Sequence, residues 1–213
     1  MRLRRKPWSD KELAENPMYI QDPRQLKSRW RELFGNDNSI HLEVGCGKGK
    51  FVAENALRYP DTNFLSMEKF EKIVCMALRH AAQTAGHLPN LYIFREDAQN
   101  ITEMFSTGEL SRIYINFCDP WRARGKWRKR RLTHRDFLSK YENIMTSTKE
   151  IHFKTDNIPL FDFSLAELQD TGWQMQNVTY DLHNSGYTDN IMTEYEEKFA
   201  TQGLKICRLE AYK

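Results

Sequence analysis

A short apolar run leads directly into closely spaced glycines at Ile40-His41-Leu42-Glu43-Val44-Gly45-Cys46-Gly47-Lys48-Gly49. The run predicts a buried strand, and the glycines predict a sharp turn into a helix, because glycine lets the backbone turn tightly and approach a ligand closely. Position 50, where a dinucleotide fingerprint would have its third glycine, holds a lysine. The segment therefore departs from the motif that binds a pyrophosphate at a helix N-terminus. Led by Glu43, it suits a ligand with an amino-acid moiety.

Short apolar runs alternate with helix-period segments over the rest of this 213-residue chain. Strands that alternate with helices of 10–15 residues predict right-handed crossovers, an α/β fold and a mostly parallel sheet. The sheet is expected to have seven strands with the last strand antiparallel, because no clear helix separates the last two runs. The predicted strands are Ile40–Val44, 63–67, 91–94, 112–117, 150–153, 176–180 and 204–209, and the predicted helices include 50–58, 70–84, 135–145 and 160–169.

The chain shows no internal repeat and no linker, so residues 1–213 are expected to form a single domain. Residues 1–35 are expected to be an irregular basic arm with a short helix near 25–34, since Pro7, Pro17 and Pro23 interrupt anything longer. No apolar run is long enough for a membrane span, and no apolar segment of a secretory signal follows the first basic residues. The four cysteines form no Cys-x-x-Cys pair, which predicts a cytoplasmic protein without structural zinc.

Positive charge is concentrated in two short segments of the chain. Seven of the ten residues from 122 to 131 are basic, and Arg2, Arg4, Arg5 and Lys6 add four more; without these eleven residues the chain would be acidic. Such a distribution is typical of proteins that bind the phosphates of a nucleic acid. A solvated basic face is the alternative. The indoles Trp121 and Trp127 could stack on a base or pack on the core.

Acidic residues follow the predicted strands at the points where ligands gather in an open α/β sheet. Glu43 would face an ammonium or sulfonium group, Glu68 two ribose hydroxyls and Asp97 an adenine amino group, which together outline a site for S-adenosyl-L-methionine. A plain tight turn is the alternative interpretation of the glycine segment. The fourth predicted strand ends in Asp119-Pro120-Trp121, and Asp119 is expected beside the transferable methyl group.

Taken in order, a set of strings over nearly the whole chain resembles the bacterial tRNA (guanine-N7-)-methyltransferase family. The strings are Phe34-Gly35-Asn36-Asp37-Asn38, 43–49, Met67-Glu68-Lys69-Phe70, 112–121, Lys129-Arg130-Arg131-Leu132-Thr133, His152-Phe153-Lys154-Thr155-Asp156-Asn157 and Met192-Thr193-Glu194-Tyr195-Glu196-Glu197-Lys198-Phe199. The resemblance implies a Rossmann-like class I S-adenosylmethionine-dependent methyltransferase domain. It also implies methylation of N7 of the guanine at position 46, in the variable loop of tRNA.

The resemblance also implies roles for particular residues. Asp119 would be catalytic and would also contact the cofactor, together with Glu43, Gly45, Gly47, Gly49, Glu68 and Asp97. Substrate contacts would come from Arg122, Arg124, Lys129, Arg130, Arg131, Asp156, Thr193, Glu194, Tyr195 and Glu196. The family's usual substrate-binding lysine falls on Ala123 here, so Arg122 or Arg124 would take its place.

Three alternatives remain open at this stage. Thr193-x-x-Glu196 also fits a helix capping box. The enzyme could instead methylate an exocyclic amine of adenine or cytosine, or the chain could be a tRNA-binding chaperone without activity. The expected partner is tRNA, with no membrane and no metal, in a monomer or a homodimer.

Overall fold

The computed structural model describes residues 7–213, with side chains from residue 11 onward. The predicted basic residues Arg2, Arg4, Arg5 and Lys6 lie outside this range. The described residues group into two compact units, and the boundary between them in the sequence lies between Ser106 and Thr107. Residues 7–213 contain no helix whose length and apolar character would let it span a lipid bilayer.

The first unit alternates parallel strands with helices. Its strands pair in the order β1-β4-β3-β2, and every pairing between them is parallel. Its elements are α1 (Pro7–Glu15), β1 (Tyr19–Ile20), a 3₁₀ turn (Pro23–Leu26), α2 (Trp30–Phe34), β2 (Ile40–Val44), α3 (Lys50–Arg58), β3 (Asn63–Glu68), α4 (Glu71–Ala85), β4 (Leu91–Arg95), a 3₁₀ turn (Ala98–Asn100) and α5 (Ile101–Met104).

The prediction of an irregular arm was wrong for residues 7–15, which form α1. Pro7 is the first residue of α1, a position where the missing N–H of proline costs no helical hydrogen bond. The helix is attached to α4 by Arg79, whose guanidinium donates to both carboxylate oxygens of Glu12 at 2.5 and 2.6 Å. The predicted helix at 25–34 divides into the 3₁₀ turn and α2, because Ser28 between them adopts a left-handed φ of 67°.

Trp30 anchors α2 in the core of the first unit. Its side chain is fully buried, and its Nε1–H donates to the carbonyl oxygen of Met104 at 2.9 Å. The indole lies 5.3 Å from the ring of Phe105 and 5.7 Å from that of Phe94, measured between ring centroids. Buried aromatic groups of this size contribute a large share of core stability, so they attach the segment before β2 to the sheet.

The second unit contains β5 (Leu110–Asn116), a 3₁₀ turn (Gly125–Arg130), α6 (Arg135–Ile144), β6 (Met145–Thr155), α7 (Ile158–Asp170), β7 (Gln174–Thr179), a 3₁₀ turn (Leu182–Asn184), α8 (Glu194–Ala200) and β8 (Cys207–Tyr212). Its strands pair in the order β5-β6-β8-β7. The β5–β6 pairing is parallel, and β8 is antiparallel to both of its neighbours.

These strands confirm the predicted α/β class, the mostly parallel pairing and the antiparallel last strand. Residues 7–213 form eight strands, of which seven correspond to the predicted runs and the additional one is the two-residue β1. The expectation that no helix separates the last two strands was wrong, since α8 lies between β7 and β8. That helix has only seven residues and depends on a side-chain cap, which explains its weak periodic signal.

A buried carboxylate connects the start of α6 to α7. Glu167 on α7 accepts hydrogen bonds from the backbone N–H and the side chain of Arg135, at 2.8 Å each, and from Arg128 at 2.5 Å. Burial alone would raise its pKa, but the hydrogen bonds from Arg135 and Arg128 outweigh burial and lower the pKa of Glu167 to about 2.

Replacement of Gly49 by alanine should destabilise the fold. Gly49 has a φ of +85°, and a Cβ there would lie 2.8 Å from the Cβ of Ala77 on α4. The left-handed backbone costs about 1–2 kcal/mol and the forced separation of α3 from α4 about 1–3 kcal/mol more. Gly108, with a φ of +81° and no atom within 4 Å of its Cβ position, is the matched control. In urea denaturation, Gly108→Ala should lose only the backbone part; equal losses in both variants would contradict the packing argument.

Acid should remove the stabilisation that Glu167 contributes. Because its pKa in the folded state lies below the ordinary value of 4.5, this stabilisation is complete above about pH 4.5 and is lost as the pH falls toward 2. The difference in free energy of unfolding between the wild type and Glu167→Gln should therefore be largest near neutral pH and narrow below pH 4.5. Denaturation curves across this range measure it, with Asp37→Asn, a change at a 93% exposed side chain, as the control. A difference that stays constant with pH would contradict the assignment.

Candidate active site

The glycine segment after β2 lies over the end of β3. The N–H groups of Gly45 and Cys46 both donate to the carbonyl oxygen of Met67, at 2.9 and 3.3 Å. Gly45 and Gly47 have positive φ values, and no atom lies within 4 Å of a Cβ built at either position. Gly49 differs from them, because its missing side chain allows α3 and α4 to pack closely. The turn thus leaves open space at its first two glycines.

The three predicted cofactor carboxylates belong to the ends of neighbouring parallel strands. Glu43 pairs in register with Ser66, and Glu68 with Arg95, so β2, β3 and β4 end at the same edge. Glu43 is buried at 2% exposure, whereas Glu68 is half-buried and accepts a hydrogen bond from the N–H of Phe70 at 3.0 Å. Asp97 follows two residues after β4. The structure therefore brings all three acids to one edge of the first unit, as the sequence predicted.

Asp97 is held by contacts that sequence patterns did not reveal. Its Oδ2 accepts from Lys69 Nζ at 2.6 Å, and its Oδ1 accepts from the N–H of Gln99 at 3.0 Å. The preceding Glu96 accepts from the N–H of Asp97 at 2.8 Å and pairs with Arg24 at 2.5 Å. The string Met67-Glu68-Lys69-Phe70 contains Lys69, but nothing local indicates that its partner lies 28 residues further along the chain.

The pKa of Cys46 reflects its burial and the negative charge at this edge. Its thiol is buried, and burial raises the pKa of Cys46 well above the usual range, with the charges of Glu43 and Glu68 raising it further. A thiol under these conditions stays protonated and is therefore a poor nucleophile. The negative potential that opposes the thiolate would favour a bound cation.

In the second unit, β5 ends in a backbone conformation that is rare for a bulky residue. Phe117, directly after β5, has a φ of +49°, and its N–H donates to the carbonyl oxygen of Lys154 at 2.9 Å. Such conformations cost about 1–3 kcal/mol and cluster at functional sites. Asp119 follows two residues later with an exposed side chain. Burial and the charge of Asp119 raise the pKa of Cys118 to about 12, so this thiol also stays protonated.

The basic segment after Asp119 is largely exposed, as a nucleic-acid contact requires. Arg122 and Arg124 are exposed, and Lys129, 70% exposed, lies 3.6 Å from Asp136. Arg130 lies over the indoles of Trp121 and Trp127, at 4.3 and 5.2 Å from their centroids. These two rings stack on each other at 5.4 Å with an interplanar angle of 13°. The two indoles therefore stack on each other and contact Arg130. Neither of the predicted roles, stacking on a base or packing on the core, describes this arrangement fully.

Arg131 differs from the other predicted substrate-binding cations. It is 4% exposed, and its guanidinium donates to the carbonyl oxygens of Pro120 and Trp121. Its geometry favours a role inside the turn over the phosphate contact that the resemblance implied.

The remaining predicted substrate residues surround the ends of β5 and β6. Tyr195 is 41% exposed, its hydroxyl donates to Asp156 Oδ2 at 3.1 Å, and its ring lies 4.9 Å from that of Phe117. Glu194 is half-buried at the start of α8. Asp156, Tyr195 and Phe117 thus form an accessible aromatic and acidic surface within the second unit.

Thr193 and Glu196 have structural partners. Thr193 caps α8, because its Oγ1 accepts from the N–H of Glu196 at 3.0 Å, which confirms the capping interpretation for this residue. Glu196 is fully buried and accepts from Lys154 Nζ at 2.6 Å and from Asn190 Nδ2 at 2.6 Å. The sequence did not indicate that Lys154, in the middle of a matched string, would be the partner of Glu196.

Over residues 7–213, no three His, Cys, Asp or Glu side chains are grouped so that they could hold a metal ion.

Comparison with known proteins places the chain among methyltransferases. A family model described as "Putative methyltransferase" matches residues 37–209. The chain is 46% identical over 212 residues to the tRNA (guanine-N(7)-)-methyltransferase of Geobacillus kaustophilus, covering 99% of this chain and 96% of the relative. It is 44% identical over 214 residues to the same-named protein of Lachnoclostridium phytofermentans, covering 100% and 99%.

Solved structures agree on the fold. The structure of the 16S rRNA methyltransferase KamB aligns with a TM-score of 0.62 at 13% identity, over 87% of this chain and 91% of that one. The extent and level of identity to the curated relatives decide the family: the chain belongs to the tRNA (guanine-N(7)-)-methyltransferases.

Proposed function

We propose that this chain is an enzyme that transfers a methyl group from S-adenosyl-L-methionine to N7 of the variable-loop guanine, position 46, of tRNA. The observation that carries the proposal is the acidic edge formed by β2, β3 and β4 in a chain 46% identical to a curated tRNA (guanine-N(7)-)-methyltransferase. We further propose a single catalytic domain over residues 1–213 that acts in the cytoplasm as a monomer or a homodimer.

The residues of the first unit fit the proposed cofactor. S-adenosyl-L-methionine supplies an activated methyl group on a positively charged sulfur. Gly45 and Gly47 provide space for close approach, and Glu43 provides negative charge. Glu68 would accept hydrogen bonds from the ribose hydroxyls. Asp97 would accept from the adenine amino group, since each carboxylate oxygen has a second lone pair beyond its bonds to Lys69 and Gln99.

The chemistry at guanine N7 requires no general base. N7 has a lone pair and no proton, so the reaction requires alignment of the reacting atoms and no base to remove a proton. Methylation leaves positive charge on the purine. A carboxylate fixed near this developing charge stabilises the transition state, and this is the role we assign to Asp119.

The second unit supplies the proposed tRNA contacts. The exposed cations Arg122, Arg124, Lys129 and Arg130 would neutralise phosphates, with Arg122 or Arg124 replacing the lysine that falls on Ala123. Guanine presents two adjacent donors, at N1 and N2, which a carboxylate accepts well. Asp156 and Glu194 are accessible for this contact, and the exposed ring of Tyr195 can stack on an extruded base.

Labelled methyl transfer to an unmodified tRNA transcript tests the function. The transcript with guanine at position 46 should be methylated, and chain cleavage at N7-methylguanine should map the label to that position. The same transcript with 7-deazaguanine at position 46 should accept no label, because the attacking nitrogen is replaced by carbon. Label on the 7-deaza transcript would support an exocyclic-amine methyltransferase. Binding of the guanine transcript without any transfer would support the chaperone alternative.

Replacement of Asp119 by alanine should lower turnover by roughly 10²-fold or more, since it removes the negative charge that opposes the developing cation. The side chain is exposed, so the variant should fold, and cofactor affinity measured by calorimetry should remain measurable. Asp37→Ala, at another exposed carboxylate, is the control and should retain full turnover. Wild-type turnover in Asp119→Ala would refute the catalytic assignment.

A further inference from the structure

Among the side chains that the structure describes, none orients Asp119. Its carboxylate is exposed, and within residues 11–213 no side chain donates a hydrogen bond to it or forms an ion pair with it. A catalytic group must nevertheless be held close to its productive geometry, because a displacement of about 1 Å can cost 10²-fold in rate. The orientation of Asp119 therefore depends on the backbone of its own turn.

Arg131 holds the far side of this turn. Its Nε donates to the carbonyl oxygens of Pro120 and Trp121 at 3.1 Å each, and its Nη2 donates to Trp121 at 2.8 Å. The guanidinium lies 4.4 Å from the centroid of Phe163 on α7, so a ring on a rigid helix fixes its plane. Two consecutive carbonyls are thereby attached to the body of the second unit.

The near side of the turn is held by β6. Phe117 keeps a left-handed backbone while its N–H donates to the carbonyl oxygen of Lys154 at 2.9 Å. Only Cys118 and Asp119 lie between this point and the carbonyls bound by Arg131. The backbone of a two-residue segment held at both ends has little freedom to change the direction of its Cα–Cβ bonds.

Burial of the Arg131 guanidinium costs free energy, because the buried charge loses its hydration. Among the described residues it has no carboxylate partner, and its charge is compensated by the carbonyl oxygens of Pro120 and Trp121 and by the ring of Phe163. An unpaired buried cation is unfavourable, and burial together with the charge of Arg128 lowers the pKa of Arg131. At 4% exposure the side chain also has almost no surface for a phosphate, unlike Arg122 and Arg124.

We propose that Arg131 is a positioning residue for methyl transfer: by binding the carbonyls of Pro120 and Trp121, it holds the turn that presents Asp119. The inference rests on the proposed catalytic role of Asp119. Lysine cannot reproduce the function, because a single ammonium lacks the planar, forked donors that reach two carbonyls from one fixed orientation.

Steady-state kinetics of Arg131→Lys test the proposal. The variant keeps the charge, so turnover should fall roughly 10-fold or more while KM for tRNA stays within about twofold of wild type. Arg122→Lys provides the contrast, since weakening an exposed phosphate contact should change KM and its salt dependence. A raised KM for tRNA with unchanged turnover in Arg131→Lys would overturn the proposal in favour of a substrate contact.

A double-mutant cycle with Asp119→Ala decides whether Arg131 acts through Asp119. If it does, Asp119→Ala combined with Arg131→Lys should be no slower than Asp119→Ala alone. Multiplied losses would overturn the positioning role while leaving the catalytic role of Asp119 intact. Full turnover in Asp119→Ala alone would instead refute the proposed catalytic role of Asp119, on which the inference rests. This single variant is measured first, so the two failures can be distinguished.

Phe163→Leu is a second variant that tests the proposal even if Arg131→Lys fails to fold. It removes the ring beneath the guanidinium and leaves Arg131 itself unchanged. Turnover should fall in the same direction, by a smaller factor, with KM for tRNA unchanged and thermal unfolding cooperative. Wild-type turnover in a Phe163→Leu variant that has lost stability would contradict the link between the guanidinium and the turn.

Discussion

Parallel pairing of β2, β3 and β4 is the constraint on which the proposed cofactor site depends. Parallel strands in register end at a common edge, so backbone pairing brings residues that are distant in the chain together there. Glu43, Glu68 and Asp97 reach this edge because each lies within two residues of the end of its strand. The glycine segment can cross the edge because the N–H groups of Gly45 and Cys46 donate to the carbonyl oxygen of Met67, near the end of β3.

The second unit differs from the first because it contains several buried charged groups that need partners. Glu167 is satisfied by two arginines, Glu196 by Lys154 and Asn190, and Arg131 by backbone carbonyls. Glu167 thereby connects α6 to α7, Glu196 connects α8 to β6, and Arg131 holds the turn after β5. Removal of one partner from such a network leaves a buried charge uncompensated, which is strongly destabilising.

Several features of the site were accessible from the sequence because their signals are local. The positions of the proposed cofactor acids followed from strand ends, and the cap of α8 followed from Thr193 and the spacing to Glu196. The exposed cluster of Arg122 and Arg124 followed from charge density. Local patterns failed where a residue's partner lies far along the chain: Lys69 and Asp97 are 28 residues apart, and Lys154 and Glu196 are 42 residues apart.

The sequence by itself determined the α/β class, the order of the strands along the chain, the acidic strand ends and the family, because apolar period, glycine spacing and matched strings are properties of neighbouring residues. Only the tertiary structure decided which charged residues face solvent and which are enclosed. Arg130 and Arg131 are adjacent and chemically identical, yet one lies over two indoles and the other is buried against the carbonyls of Pro120 and Trp121. The difference depends on residues distant in the chain, since the ring of Phe163 on α7 lies 4.4 Å from the guanidinium of Arg131.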